Sequence, residues 1–387
     1  RPLPELYDLV EQALRDPSKA YDVVALNMPW LGRFAEQGTL SPLDDVLLDA
    51  PINPLDFHPS VWNTGRWNGR QYGIPIYCTV EVLIARRDLF EDSGTLYPRT
   101  FDETITAARA AHRPDKELYG IAWNGAPGMP IAHSFMIFLA SSQGSVIDIP
   151  RKHENWLDTI DPRNPRLRIN SEEGLITLDY MRQLAEVSPP GIETFDADRN
   201  LACFMAGHAA MSYSWTMRAA RLEHELSSKV KRRVAYLTPP VHKGREITAP
   251  VGGFLLTIPG YVDPARKREV LNAVAWMASP EAMKAHVKNG FPVAPRFSVC
   301  ADPEALASSP IVSFVDRMAR RHELNTWSRP PVPDYIEIEQ VLGTETFAAV
   351  FEGKPPKQAL ADAENAVYRA IRARGASPVR GRSMSVA

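Results

Sequence analysis

The sequence has little cysteine, no long apolar run and no excess of either charge. Its 387 residues include three cysteines, Cys78, Cys203 and Cys300, which lie far apart and form no C-x-x-C pair. This spacing predicts neither a zinc site nor a disulfide framework, and we interpret the thiols as small buried side chains. No uninterrupted apolar run approaches the ~20 residues that a membrane-spanning helix requires.

The near balance of positive and negative charge limits the kinds of molecule that we expect the protein to bind. Lysine and arginine number 44 and aspartate and glutamate 46, which leaves a formal net charge of −2. A chain so balanced has no electrostatic attraction for nucleic acid or for an anionic membrane. We therefore expect a small neutral molecule as the partner, no nucleic-acid binding, and a monomer of roughly two to three domains.

Motifs of the common enzyme classes are also missing. The sequence has no G-x-S-x-G and no G-x-x-x-x-G-K, and His224-Glu225 and His322-Glu323 lack the second histidine of H-E-x-x-H. Adjacent acidic residues occur only where helices are predicted to begin, where carboxylates interact with the helix dipole. We expect no enzyme, and accordingly no catalytic residue, cofactor or metal ion.

The most informative stretch runs from Trp62 to Phe90 and combines a hairpin with a crossing strand. Asn68-Gly69 is a typical hairpin turn, and aromatic residues lie on both sides of it. Pro75 has no backbone N–H to donate, which suits a strand that ends there and opens into a loop. The pattern predicts a strand over residues 72–77, a loop over 77–79 and a second apolar strand over 80–85. We expect the chain to pass from one sheet to another here.

Five motifs occur along the chain in a fixed order. They are Y-D-V-V at 21–24, F-A-E-Q-G-T-L-S-P-L-D at 34–44, W-x-x-G-x-x-x-G-x-x-Y-G-I-P at 62–75, Y-G-I-A at 119–122, and F-M-A-G-H-A-A-M at 204–211. In this order they resemble the motifs of the extracellular solute-binding proteins of family 1, the maltose-binding-protein-like receptors of ABC importers. The resemblance covers nearly the whole chain.

The resemblance implies an α/β fold of the two-lobe periplasmic-binding-protein type (type II), with a hinge and a ligand cleft between the lobes. We expect lobe 1 to comprise residues 1–86 and 250–300, lobe 2 to comprise residues 87–249 and 301–374, and residues 375–387 to form a disordered tail. The chain would cross between lobes near residues 85, 250 and 300.

The function that this resemblance implies is binding of a carbohydrate, a mono- or oligosaccharide, by hinge closure, and its delivery to an ABC permease. The location would be periplasmic or extracytoplasmic, although Arg1-Pro2 opens no signal peptide. The chain is then processed, trimmed or cut from a longer protein. Three alternatives stay open: a cytoplasmic ligand-sensing module of a transcriptional regulator, a receptor for a non-sugar solute, and a carbohydrate-active enzyme.

Candidate ligand-binding residues follow from the needs of a sugar receptor, which are flat apolar faces and a few polar groups in a cleft. Trp215 and Tyr335 are selected by the resemblance, Trp215 because a stacking tryptophan follows the A-A-M strand in that family. Gly252 and Gly253 allow a close approach of the backbone. The remaining candidates lie at predicted strand ends or loops or in the apolar strand of Glu81: Asn27, Trp30, Tyr77, Glu81, Trp123, Asn124, Asp198, Phe254 and Arg296.

Overall fold

A computed structural model describes residues 3–19, 21–149, 160–161, 164–291 and 294–376. The predicted disordered tail falls outside these residues, except for Gly375 and Ala376, which end the last helix. Among the described residues, none of the helices has the length and apolar character needed to cross a lipid bilayer.

Short helices alternate with strands in the first part of the chain. These elements are α1 Leu3–Arg15, β1 Val24–Asn27, α2 Leu31–Glu36, α3 Asp44–Leu47, α4 Pro59–Trp62, β2 Arg66–Trp67, β3 Arg70–Gln71, β4 Gly73–Arg86, α5 Arg87–Ser93, α6 Phe101–Ala111, β5 Tyr119–Ala122 and α7 Met129–Ser141.

Helices dominate the second part. The elements are α8 Glu172–Glu186, α9 Ala197–Met205, β6 Ala209–Trp215, α10 Ala219–His224, β7 Val234–Leu237, β8 Ala249–Thr257, α11 Pro264–Met277, α12 Pro280–Lys288, α13 Phe297–Cys300, α14 Pro303–Ser308, α15 Pro310–Arg320, β9 Leu324–Asn325, α16 Tyr335–Phe351 and α17 Pro356–Ala376.

Local sequence signals explain several boundaries. Helix α6 begins at a capping box, since Thr100 Oγ1 accepts from the Glu103 backbone N–H and the Glu103 carboxylate accepts from the Thr100 N–H. The β2–β3 hairpin turns through Asn68 and Gly69, which both have a positive φ, of 46° and 77°. Both features confirm the sequence predictions.

The strands form one seven-stranded sheet and a separate two-stranded hairpin. Residues 73–80 of β4 pair with β8, which also pairs with β1 and β9, whereas residues 81–86 pair with β6 and β7. The predicted loop at 77–79 is wrong, because β4 runs unbroken from Gly73 to Arg86. Pro75 lacks a backbone N–H, yet it produces only a shift of register between Pro75 and Tyr77 and does not end the strand.

This change of partners gives the molecule two lobes joined by long strands. The first lobe holds β1, β8 and the first half of β4, and the second holds β5, β6, β7 and the second half of β4. The division after residue 86 stays a prediction, and we propose that the chain changes lobe between Val80 and Glu81. Helices α13 to α15 pack against one another and α12 packs on α14. The prediction that lobe 2 takes up the chain again at residue 301 therefore stays untested, and we propose that α14 and α15 belong with the first lobe.

Candidate functional site

The lobes meet where the ends of β6 and β8 reach the middle of β4. Thr216 follows β6, and its Oγ1 accepts a hydrogen bond of 2.9 Å from the backbone N–H of Val80. The hydroxyl of Thr79 lies 3.2 Å from the same Oγ1 and accepts from the backbone N–H of Met217. These bonds fix the end of β6 at the point where β4 changes partners.

Glu81 is the first residue of β4 beyond this point, and its side chain is only 1% exposed. Its Oε2 atom is buried without a hydrogen-bond partner among the described residues. Burial raises the pKa of Glu81 to about 8, although the charges of Arg329 and Arg218 oppose this shift. The carboxyl group is therefore mostly protonated near neutral pH, and it can donate as well as accept a hydrogen bond.

Arg329 and Trp215 lie beside this carboxyl group. Trp215, the last residue of β6, is paired with Glu81 across the sheet and is half-buried. The guanidinium carbon of Arg329 lies 4.8 Å from the centroid of the Trp215 ring, and Arg329 Nη2 donates to the carbonyl of Val251 over 3.4 Å. Gly252 completes the contact, because a Cβ atom there would lie 2.4 Å from Arg329 Nη2 and 3.1 Å from the Trp215 ring.

More polar atoms without partners lie in the segment that carries Arg329. The side-chain amide nitrogen of Asn325, the hydroxyl of Ser328 and Nε of Arg329 are all buried and lack a hydrogen-bond partner among the described residues. Asn325 Oδ1 accepts from the backbone N–H of Ser328, which closes a local turn. Buried polar groups are normally paired, and a cluster of exceptions indicates a place where another molecule supplies the partners.

Tyr335, at the start of α16, extends the polar cluster toward the second lobe. Its hydroxyl donates to Glu339 Oε1 over 2.8 Å and lies 3.2 Å from His133 Nε2, which is 2.6 Å from the same carboxylate oxygen. Burial raises the pKa of Tyr335 well above its ordinary value. The charge of Glu339 adds to this shift, and the charge of Arg329 opposes it.

Tyr77 and Phe254 form an aromatic group on the first lobe. Their rings stack with centroids 5.7 Å apart, and Phe291 lies 5.6 Å from Tyr77. Gly253, beside Phe254, has a φ of +145°, and a Cβ atom there would lie 2.3 Å from the Tyr77 carbonyl oxygen. Only glycine fits this combination of conformation and contact.

Other predicted residues lie away from the cluster. Trp123 is 0% exposed, stacks on Phe351 at 6.0 Å and donates through Nε1 to Ser188 Oγ, so it belongs to the core of the second lobe. Arg296 is 2% exposed, bridges to Asp56 Oδ2 over 2.9 Å and lies over the Phe57 ring. These contacts occupy both side chains, and we leave both out of the site.

Three of the remaining predicted residues are held by other contacts, and one lies beside the aromatic group. Asp198 is 72% exposed and pairs with Arg218 and Arg221 on the surface. Trp30 is buried against the edge of Tyr7, and the Asn124 side chain accepts from Asn200 over 3.1 Å. Asn27 ends β1 opposite Phe254 and therefore lies beside the aromatic group.

Sequence reasoning did not select five residues of this cluster, which are Arg329, Asn325, Ser328, Glu339 and His133. The first three fall in N-T-W-S-R-P-P, a stretch that reads only as a proline-rich break between helices. The stretch does contain a sequence signal, because five consecutive side chains able to hydrogen-bond stand directly before two prolines, in a segment that cannot be a helix.

A groove of about 640 Å³ lies outside this cluster. It is lined by α10, β7, the end of α12 and the residues around Pro310, and it contains none of the predicted site residues. The polar cluster is therefore identified by its buried unpaired atoms and not by an open cavity.

Comparison with known proteins agrees with this architecture. A model of the bacterial extracellular solute-binding protein family matches residues 4–284. The chain belongs to this family. The predicted two-lobe periplasmic-binding-protein fold is confirmed, since solved members superpose over nearly the whole chain. The family consists of solute-binding proteins, and its description as extracellular implies a location outside the cytoplasm.

Individual family members differ in the solute that their names give. A mannitol-binding protein of Pseudomonas aeruginosa is 25% identical over 377 residues, which cover 92% of this chain and 81% of that protein. An ABC transporter solute-binding protein from Agrobacterium radiobacter K84, solved with ribitol, is 26% identical with a TM-score of 0.81, covering 95% of this chain and 89% of the other. A probable amino-acid ABC transporter periplasmic-binding protein of Sinorhizobium fredii is 24% identical over 336 residues, 84% of this chain and 70% of that protein.

Proposed function

We propose that this protein is the receptor of an ABC importer for an acyclic polyol or a small sugar, which it binds between its lobes and delivers to the permease. The observation that carries the proposal is the set of buried, unpaired polar atoms on Glu81, Asn325, Ser328 and Arg329 beside the half-buried ring of Trp215. The mannitol-binding relative and the related protein solved with ribitol both support a polyol as the solute.

The chemistry of a polyol fits these groups. Each hydroxyl both donates and accepts, so one molecule can serve the Glu81 carboxyl, the Asn325 amide and the Arg329 Nε together. The carbon chain of the polyol is apolar on its C–H faces and can pack on an indole ring. Arg329 donates to the Val251 carbonyl and lies over the Trp215 ring, so its guanidinium is held by neutral groups and can also donate to a neutral hydroxyl.

Closure would follow from contacts to both lobes. Glu81 and Trp215 belong to strands of the second lobe, whereas Gly252 and Phe254 belong to a strand of the first. A solute that touches both stabilises the closed arrangement and shifts the population toward it. We propose that the protein acts as an extracytoplasmic monomer without nucleic acid and without enzymatic turnover.

An amino acid is the second candidate, because one relative is named for an amino-acid transporter. A zwitterion needs a cation for its carboxylate and an anion for its ammonium group. Arg329 can supply the first, but Glu81 supplies the second only when it is ionised, which its raised pKa disfavours.

A thermal-shift screen of the purified chain against ribitol, mannitol, monosaccharides, maltose and amino acids tests the proposal, with calorimetry on every hit. A solute at 100 times its Kd adds about 2.7 kcal/mol to the free energy of unfolding. A polyol or sugar that binds with a stoichiometry of one supports the proposal. Binding of amino acids alone would reject the polyol assignment and leave the family membership intact.

A further inference from the structure

Three side chains with metal-binding atoms meet in the first lobe, away from the solute-binding cluster. They are His58 directly before α4, Cys300 at the end of α13, and Asp316 in α15, and their candidate ligand atoms all lie within 4.8 Å of one another. His58 and Cys300 are buried, and Asp316 is half-buried. Cys300 and Asp316 follow His58 by 242 and 258 residues, so the three residues form no local sequence motif.

The hydrogen-bonding state of His58 is unusual for a buried histidine. Neither Nδ1 nor Nε2 has a hydrogen-bond partner among the described residues, and the same holds for Oδ1 of Asp316. Nε2 and Oδ1 face each other over 3.6 Å, which is too long for a hydrogen bond. Two buried polar atoms therefore point at each other without bonding, and an ion between them would satisfy both.

The surroundings hold these side chains in place. The His58 ring lies 4.6 Å from the Phe297 ring, and the His58 backbone N–H donates to the Pro295 carbonyl over 2.8 Å. Arg320 Nε donates to the other oxygen of Asp316, Oδ2, over 2.8 Å. The nearby Arg296 is already paired with Asp56, so it does not compete for Asp316.

The charges of the ligands suit a divalent ion. An imidazole binds a metal through a neutral nitrogen and a cysteine binds as the thiolate, so the Cys300 proton must leave when the ion binds. One thiolate and one carboxylate would balance the charge of +2, and Arg320, which pairs with the other oxygen of Asp316, has a side chain that is 54% exposed to solvent.

We propose that His58 Nε2, Cys300 Sγ and Asp316 Oδ1 bind one divalent ion of the zinc class, with a water molecule as the fourth ligand on the half-buried side of Asp316. Nitrogen, thiolate and carboxylate ligands together select zinc or cobalt over calcium and magnesium. Tetrahedral ligands stand about 3.3 to 3.8 Å apart, so the widest pair has to approach by at most about 1.5 Å. Binding transfers the Cys300 proton to solvent, and the ion joins α15 to α13 and to the segment before α4.

Titration of the chelator-treated full chain with Co²⁺ and with Zn²⁺ tests this site. We expect one equivalent of Co²⁺ to give a thiolate-to-cobalt charge-transfer band in the near ultraviolet, together with the visible bands of tetrahedral cobalt. Zn²⁺ should displace it, raise the Tm and release one proton per ion. Wild-type protein that binds Co²⁺ without the charge-transfer band, or that shows no rise in Tm with Zn²⁺, would overturn the proposal.

Variants assign the ligands. Cys300→Ser should abolish the charge-transfer band, and Asp316→Asn should weaken Zn²⁺ binding at least tenfold while the half-buried position keeps the fold intact. Cys203→Ser, a thiol on α9 in the other lobe, is the matched control and should leave the band unchanged. A band that survives Cys300→Ser, or equal Zn²⁺ affinity in Asp316→Asn, contradicts the proposal, as does loss of the band in the control.

Discussion

At the scale of single residues, the solute-binding cluster depends on a carboxyl group kept neutral by its surroundings. Glu81 lies near the middle of β4 and is paired across the sheet with Trp215, which is not a basic residue. Burial of its carboxyl group raises its pKa to about 8. Sequence reasoning selected Glu81 because a carboxylate in an apolar strand requires a partner. The structure adds that its neighbours, Arg329 and Arg218, do not overcome the effect of burial.

Glu81→Gln tests this state through the pH dependence of stability. Between the ordinary pKa of 4.5 and about 8, the folded protein keeps the Glu81 proton that the unfolded chain loses. The contribution of Glu81 to stability is therefore fully present below about pH 4.5 and is lost as pH rises to about 8, by at most ~1.4 kcal/mol per pH unit. Glutamine has no proton to lose, so the variant should show a weaker fall of Tm with pH. Glu193→Gln, at an exposed carboxyl, should keep the wild-type slope, and equal slopes in all three proteins would contradict the raised pKa.

Trp215→Ala tests the apolar side of the cluster. The half-buried ring offers a face to the C–H groups of a solute, and its loss should raise the Kd for the polyol or sugar found in the screen by roughly tenfold or more, which corresponds to about 1.4 kcal/mol. Calorimetry on both proteins measures the change. Trp276→Ala is the control, because Trp276 is 73% exposed on α11 and should leave the Kd unchanged. An unaltered Kd in Trp215→Ala would remove this ring from the site.

At the scale of elements, the paired strands β4 and β8 need glycine at one position. Gly253→Ala places a Cβ atom against the Tyr77 carbonyl in a backbone conformation that alanine disfavours, and we expect a loss of about 2 to 4 kcal/mol in the free energy of unfolding. Gly244→Ala is matched in having a positive φ, of +79°, but its Cβ would meet no atom within 4 Å. It should lose only about 1 kcal/mol in urea denaturation. Similar losses in both variants would show that conformation, and not the close approach of β4, sets the requirement.

Much of this element structure could be predicted because its signals are local. The capping box of α6 and the Asn68-Gly69 turn depend on residues within three positions of each other, and both predictions are confirmed. The loop predicted at 77–79 failed because Pro75 was taken to end the strand. Strand β8 pairs on both sides of the register shift and carries β4 through it, which is a long-range effect that the residues around Pro75 do not encode.

Only part of the candidate site could be predicted, because some of its residues are brought together by long-range contacts. Trp215 and Glu81 stand in recognisable strands, whereas Arg329 reaches the cluster only because the chain returns to it more than a hundred residues later. Trp123 and Arg296 illustrate the converse. Each occupies a position suited to a binding role, but tertiary contacts with Phe351 and with Asp56 place them in the core.

At the scale of the whole molecule, the lobes also touch outside the solute-binding cluster. Helix α2 of the first lobe packs directly on the 331–337 segment, since a Cβ atom at Gly32 would lie 2.0 Å from the Pro331 carbonyl oxygen. One residue further on, Arg33 Nη1 lies 2.6 Å from Glu337 Oε1. Helix α16, which carries Glu337, packs on α7 and α8 of the second lobe, so this ion pair joins the lobes.

Arg33→Ala tests whether this ion pair stabilises the closed arrangement. Glu337 Oε2 is already buried without a hydrogen-bond partner among the described residues, and loss of Arg33 leaves Oε1 without its partner as well. This cost falls away as the lobes open. The equilibrium should shift toward the open form, which raises the Kd for the solute several-fold and increases the radius of gyration measured by X-ray scattering without solute. Arg15→Ala removes an ion pair within α1 alone and should change neither quantity. If Arg33→Ala binds as tightly as the wild type and keeps its radius, the lobes close without help from this contact, and the solute itself supplies the closing free energy.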